Sequence, residues 1–319
     1  MTQFKNRAYG FAVIKAINSN YNADFSGQPR TLPNGQVYAT DKALKYTVRN
    51  YLKDMYPKGS PKEEKIFFTK RLNDKYNPIS LNEAYVKMFG DFPKIEEKKK
   101  KVIDKIGVLN HLLSCIDVRL FGATFAGETN VSVYGTTQIN HGVNRWKEGN
   151  IFSEQITSPF SNKSDDKDAE KGMTTIGRQS KLEEGHYVHH FSINPKNIED
   201  IAKHGAEVTQ TLSVNDIELL KEGLRKGATY YDSAAKAGTE NEMLFYVELR
   251  EGSKLVLPNF TEMVKIDDKK DDGKRYFDLS AVKAELEKHK EDIEKCEIYY
   301  NSNNVVVDNL PEGCVIFDL

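Results

Sequence analysis

The run "RAYGFAVIKAIN", residues 7–18, reads as a strand. Phe11, Val13 and Ile17 fall on one face and Ala12, Ile14 and Ala16 on the other, so both faces are apolar. A strand covered on both sides belongs in the middle of a sheet. Downstream, Gly27, Pro29, Pro33 and Gly35 mark a loop. Thr40 or Asp41 then caps a helix reaching about Met55, with Leu44, Val48 and Leu52 recurring at helical spacing. Lys42, Lys45 and Arg49 form a neighbouring stripe on that helix at i, i+3 and i+7.

Beyond this opening unit, residues 57–105 read as an insertion. "YPKGSPKEEK" breaks the pattern, "SLNEAYVKMFG" starts with a Ser80/Glu83 capping box and stops at Gly90, and "EEKKKK" is a charge run. "CIDVRLFGATFA" (115–126) and "VSVYGTTQI" (131–139) read as strands of a hairpin with Gly127 in the connection. From about His141 to Gly185 the chain lacks periodicity and is rich in Ser, Asp, Lys and Gly, which predicts a long functional loop. "HYVHHFSINP" is the next strand, followed by a helix in "NPKNIEDIAKHG" and another from Ser213, whose side chain can pair with Asp216 at its start, to about Gly227. "NEMLFYVELREG" and "SKLVLP" read as strands, 278–292 as an amphipathic helix, and "CEIYYN", "NVVVDN" and "CVIFDL" as short strands. The core order is an α+β plan, β-α-β-β-α-β, ferredoxin-like or RRM-like, with large insertions.

Composition narrows the function classes. The N-terminus lacks the uninterrupted apolar segment of a signal peptide and no apolar run is long enough to span a bilayer, so the expectation is a cytoplasmic protein with no membrane partner. Three cysteines, Cys115, Cys296 and Cys314, with no CxxC pair, indicate neither a disulfide framework nor a zinc knuckle. The formal net charge is only −1, yet it is unevenly placed. Residues 1–105 carry 21 Lys+Arg against 11 Asp+Glu, net +10, and the rest carry 25 against 36, net −11. That asymmetry fits either solvated faces of mixed charge or a basic side for a polyanion and an acidic side for the next copy.

No Walker loop, GxGxxG or GxSxG is present, so nucleotide hydrolysis and acyl transfer have no anchor. His186, His189 and His190 cluster in "HYVHH", but on a strand His186 and His189 face opposite ways, as do His189 and His190. They read as structural rather than catalytic. "SDDKDAE" and "DDKKDDG" read as solvated loops rather than metal cages. No metal and no cofactor is expected. The opening segment is more specific: Asn18, Asn20 and Asn22 combine donors and acceptors, though "NSNYN" also fits a plain turn. Arg30 and the Lys42, Lys45, Arg49 ridge add phosphate-seeking charge, interleaved with Tyr21, Phe25, Tyr38 and Tyr46, a pattern suited to single-stranded nucleic acid.

Taken in order, "NSNYNADFSGQPRTLPNGQVYATDKALKY", "DVRLFGATFA", "GTTQI", "SPF", "FSINPKN", "ENEMLFYVELREGSKLVLPN" and "KCEIYYN" span nearly the whole chain. This series closely resembles the backbone subunit of CRISPR Cascade, the Cas-seven family of RAMP proteins, in its type I-B form. The resemblance implies a hand-shaped molecule: an RRM-like palm (1–56, 113–133 and 186–319), a helical fingers insertion (57–112) and a long thumb loop (134–185). It implies copies stacked head to tail along one CRISPR RNA (crRNA), pairing of the guide with target DNA, and association with other Cascade subunits and a recruited nuclease. Carried over, Thr40 to Lys42, Lys45 and Arg49 occupy the guide-phosphate region. Gln138, Arg178 and Gln179 contact RNA from the thumb, and Met173 or Ile176 wedges against a displaced nucleotide. Type III relatives cut target RNA with a thumb-region aspartate, and Asp165, Asp166 and Asp168 keep a RAMP-type ribonuclease as the alternative. The type I form implies no catalysis.

Overall fold

A computed structural model of the protein describes residues 2–59, 64–97, 99–161, 173–202, 210–267 and 272–319. The chain begins with β1 (Ala8–Ser19), a folded loop, β2 (Tyr38–Ala39) and α1 (Asp41–Met55). An inserted lobe follows, with α2 (Leu81–Phe89), the hairpin β3 (Lys94–Glu97) and β4 (Lys100–Ile103), α3 (Lys105–Leu113) and α4 (Ile116–Phe121), then the hairpin β5 (Gly122–Ala126) and β6 (Asn130–Tyr134). Next come β7 (Thr137–Ile139), β8 (Gly142–Asn144), β9 (Ile151–Ser161), β10 (Met173–Ile193), α5 (Lys196–Ala202), α6 (Val214–Tyr230) and β11 (Thr239–Leu249). The C-terminal part contributes β12 (Lys265–Asp267), β13 (Arg275–Asp278), α7 (Ser280–Glu287), β14 (Ile293–Tyr300), β15 (Val305–Asp308) and β16 (Val315–Phe317). Among the described residues no helix is long and apolar enough to cross a membrane.

The main sheet runs β16-β14-β11-β1-β10-β8-β2, with β7 and β9 also paired to β10. β1 is its central strand, antiparallel to both neighbours: Phe11 lies opposite His190 on one side and Phe245 on the other. Ala12, Ile14 and Ala16 enter a core with Leu44 and Val48 of α1 and Leu220 and Leu224 of α6. Phe11 and Val13 enter a second core with Phe260, Phe277 and Val282 on the opposite face. Phe11 stacks on Phe245 at 5.1 Å and meets Phe260 edge-on at 6.4 Å, so truncating it to Ala would cost about 3–5 kcal/mol. A third core, around Tyr85, Leu112 and Phe125, holds the inserted lobe together and takes in Val133 of β6.

Both capping boxes expected from the sequence form, at Ser80/Glu83 and at Ser213/Asp216. Four expectations do not hold. Residues 116–121 are helical, not extended, because their charged side chains have buried partners: Asp117 receives the Phe67 and Phe68 amides, and Arg119 pairs with Asp216 at 2.6 Å. "SKLVLP" packs Leu257 into the core but joins no strand ladder. The long thumb loop is, in its described residues, largely a β-hairpin: β9 pairs with the first half of β10, Gln155 opposite Arg178 and Glu154 opposite Gln179. Residues 153–157 of β9 are exposed throughout, and a ribbon wet on both faces carries no apolar alternation to read. The inserted lobe is also not purely helical, since it carries the exposed β3–β4 hairpin.

Candidate nucleic-acid interface

The loop between β1 and β2 is built of two tight turns. Asp24 N donates to Gln28 O and Leu32 N to Gln36 O, both at 2.8 Å, and Gly27 and Gly35 take the left-handed conformation that each turn requires. Asp24 Oδ1 accepts from the Ser26 hydroxyl at 2.7 Å and from the Ser26 and Gln28 amides, which hold its carboxyl below the usual range. The first turn presents Phe25 fully exposed, with the Arg30 guanidinium 6.0 Å from its ring centre.

Asn20 and Asn22 fasten this loop. Asn20 Nδ2 donates to Gly27 O at 3.1 Å and to Ser180 O, at the base of the β9–β10 hairpin, at 3.0 Å. Asn22 Oδ1 accepts from both the amide and the hydroxyl of Thr40 at 2.9 Å. The Thr40 hydroxyl is thereby turned away from α1 and does not cap it, and the Asp41 amide donates instead to His141 Nδ1 at 3.4 Å. The positive end of the helix dipole favours an incoming anion. Two buried polar atoms next to this site, Arg30 Nε and Asn20 Oδ1, have no hydrogen-bond partner among the described residues. Asn18 is exposed with φ 46, a turn conformation that asparagine tolerates.

The basic ridge is not a row of three solvated cations. The Lys42 side chain is 80% exposed, while Lys45 Nζ pairs with Asp41 at 3.0 Å and lies 5.7 Å from the Phe121 ring centre. Burial opposes the Asp41 charge, but Lys45 and Lys42 hold its carboxyl below the usual range. Arg49 Nε donates to buried Asp117 at 3.0 Å, tying α1 to the inserted lobe. Gln138 is exposed on β7 and bonds Gly135 O at 2.8 Å, beside Tyr134, which is 80% exposed. Arg178 is exposed on the hairpin and Gln179 half-buried. Met173 and Ile176 lie on β10, but their side chains fall outside the described residues, as do Asp165, Asp166 and Asp168 altogether.

His141 is a site residue that sequence reasoning missed. Its Nδ1 accepts from the Asp41 amide at 3.4 Å and its ring packs on Tyr38 at 5.3 Å, bringing β2, β8 and the start of α1 together. A lone histidine after a polar strand offers no periodic signal.

The clustered histidines are buried and divided between the faces of β10. His189 bonds Tyr21 Oη and Asn140 O at 3.3 and 3.0 Å, and burial lowers it to about 4. His190, on the opposite face against Phe260, is likewise lowered to about 4 by burial. His186 is enclosed between Glu242 at 2.5 Å and Glu184 at 3.0 Å. Burial disfavours its charge, but the two carboxylates outweigh it and raise it to about 9. Arg275 closes this network with two bonds to Glu184 and a stack on Trp146 at 4.6 Å. Among the described residues no three His, Cys, Asp or Glu side chains are grouped to hold a metal.

The fold is a mixed α+β architecture shared with solved chains of RNA-guided complexes. A chain from a "CRISPR RNA-guided surveillance complex, pre-nicking" superposes with a TM-score of 0.53 at 12% identity, over 98% of this chain and 96% of that one. A chain from a "CRISPR RNA-guided surveillance complex" gives 0.50 at 14% identity, over 97% and 95%. The family model for CRISPR-associated protein Cas7 matches residues 6–287, and the chain belongs to that family. No curated protein matches the sequence.

Proposed function

We propose that this protein is the crRNA-binding backbone subunit of a type I-B Cascade complex. It is non-catalytic and cytoplasmic, and its copies stack head to tail along the guide, which pairs with target DNA while other subunits and a recruited nuclease complete the assembly. The observation that carries this reading is the N-terminus of α1, where Thr40 supplies no side-chain cap, flanked by exposed Lys42, by Arg30 Nε, which has no hydrogen-bond partner among the described residues, and by exposed Phe25. Amides and cations suit phosphate oxygens, and the aromatic face suits an unstacked base. Family membership supplies the context.

In this reading β1, α1, β7 and β8, β10, α6 and β11 form an RRM-like palm. Its support is the sheet order β11-β1-β10-β8, the fourth, first, third and second strands of a β-α-β-β-α-β plan, with α1 and α6 packed on one face. The lobe at 57–112 serves as fingers, together with the β5–β6 hairpin that shares its core. The segment 134–185 serves as the thumb, where Gln138, Arg178 and Gln179 contact RNA and Met173 or Ile176 displaces a nucleotide. Specificity is left to base pairing.

The test is purification with and without a co-expressed CRISPR RNA. The expected product is a multimeric particle carrying RNA of uniform length. A monodisperse monomer free of RNA at low salt overturns the proposal.

A further inference from the structure

Away from the candidate interface, two of the three cysteines meet. Cys296 lies on β14 and Cys314 immediately precedes β16. These strands run parallel, with Glu297 opposite Val315, Ile298 opposite Ile316 and Tyr299 opposite Phe317. One step back along that register places Cys296 beside Cys314. Neighbouring strands sit about 4.8 Å apart, within the roughly 4.4–6.8 Å Cα separation that a disulfide spans. Both thiols belong to the core that contains Ile298, Cys296 buried inside it and Cys314 packed half-exposed against it. The adjoining Cys314 sulfur, and then burial, push the Cys296 thiol far up, as expected of direct neighbours.

The surroundings leave room for chemistry. Both cysteines are free thiols. Cys314 sits in a turn, its amide donating to Pro311 O at 3.3 Å next to Gly313 at φ 76, so ladder geometry does not fix its side chain. A cavity of about 360 Å³ lined by Leu286, Lys290, Cys296, Pro311 and Gly313 opens on the Cys296 side of the pair. Without a cross-link, β16 is an edge strand with Val315, Ile316 and Phe317 exposed, held by its ladder and by the stack of Phe317 on Tyr299 at 4.9 Å.

We propose that Cys296 and Cys314 are a redox-responsive pair, oxidised by a low-molecular-weight disulfide of the glutathione class to a cross-link that fastens β16 to β14. The more accessible Cys314 loses its proton and its thiolate attacks one sulfur of the reagent. The reagent's S–S bond breaks, and the departing thiolate takes up a proton. Cys296 then gives up its proton and attacks Cys314 Sγ, expelling the second small thiol. Two protein thiols and one small disulfide thus become one protein disulfide and two small thiols, balanced in hydrogen and electrons.

The test uses the full chain equilibrated with oxidised glutathione, alkylated without reduction and digested. The expected result is an intact mass lower by two hydrogens, a linked peptide pair containing Cys296 and Cys314, and reversal by dithiothreitol. Amide exchange at Val315–Phe317 is expected to slow on the order of tenfold in the oxidised form. Cys296→Ser should trap Cys314 as a glutathione mixed disulfide, whereas Cys314→Ser should leave Cys296 without an adduct. Alkylation of both residues in the oxidised sample after unfolding overturns the proposal. So does a mixed disulfide in the unsubstituted protein that never resolves, or a link from Cys314 to Cys115 or to a second chain. The comparison of oxidised with reduced protein stands whether or not either variant folds.

Discussion

Arg49 Nε donates to Asp117 Oδ2 at 3.0 Å across the junction between α1 and the inserted lobe, and Asp117 is fully buried. The same carboxylate accepts from the amides of Phe67 and Phe68 at 2.8 and 3.0 Å, while the guanidinium lies over the rings of Phe121 and Phe68. The third member of the basic stripe therefore acts as a pin between two cores.

Removing that pin strands a buried carboxylate. Arg49→Ala is expected to lower the unfolding free energy by about 3 kcal/mol, read as a reduced midpoint in urea at unchanged slope. Lys42→Ala, with its side chain in solvent, is expected to stay within about 0.5 kcal/mol of the parent. Equal stability of the Arg49→Ala protein would remove the structural role assigned to that residue.

RNA affinity should separate the stripe in the opposite way. Lys42→Ala and Arg30→Ala are each expected to weaken binding of a single-stranded RNA across sequences and to reduce the slope of log affinity against log salt by about 1. Fluorescence anisotropy over a salt titration measures this. A slope unchanged in both variants would count against phosphate contact at the start of α1.

How much of this was legible in the sequence follows from where each signal lives. β1 could be read because burial on both faces leaves an unbroken apolar run, and α2 and α6 because their capping boxes lie within four residues. The helix at 116–121 could not, since the partners of its charges, Arg49 and Asp216, are 68 and 97 positions away. The candidate interface was legible in place but not in division of labour. Asn20 looks like a ligand-seeking amide, yet its nitrogen is occupied by Gly27 O and Ser180 O, and Lys45 is occupied by Asp41. Such pairings depend on the folded loop, which local composition does not encode.

The histidines of β10 predict a stability profile with two arms. His186 is raised to about 9 by Glu242 and Glu184 against its burial, so its contribution is complete below its ordinary value of 6.5 and is lost as pH rises through 9. The loss amounts to roughly 3 kcal/mol. His189 and His190 are lowered to about 4 by burial, so their contribution is present above 6.5 and is lost as pH falls through 4. Urea unfolding between about pH 4 and 9 should therefore peak near the ordinary histidine range. His186→Gln should flatten the alkaline arm and leave the acid arm in place. An alkaline arm of undiminished depth in that variant would show that other groups produce it.

Gly142 is held against one of those rings. A Cβ at this position would lie 2.2 Å from His189 Nε2, and the ring is fixed on its other side by Asn140 O. Because Tyr21 Oη also bonds that nitrogen, the imidazole has no direction in which to yield without breaking a buried hydrogen bond. Gly142→Ala is expected to cost about 1–3 kcal/mol, or more if the Tyr21 contact is lost. Gly177, on the exposed hairpin, has nothing within 4 Å of its added Cβ, so Gly177→Ala should be neutral or stabilise by up to about 1 kcal/mol. Thermal unfolding of the two variants side by side decides the matter. Equal melting temperatures would mean that the His189 ring is free to move, and that the join of β8, β10 and the folded loop is looser than its hydrogen bonds imply.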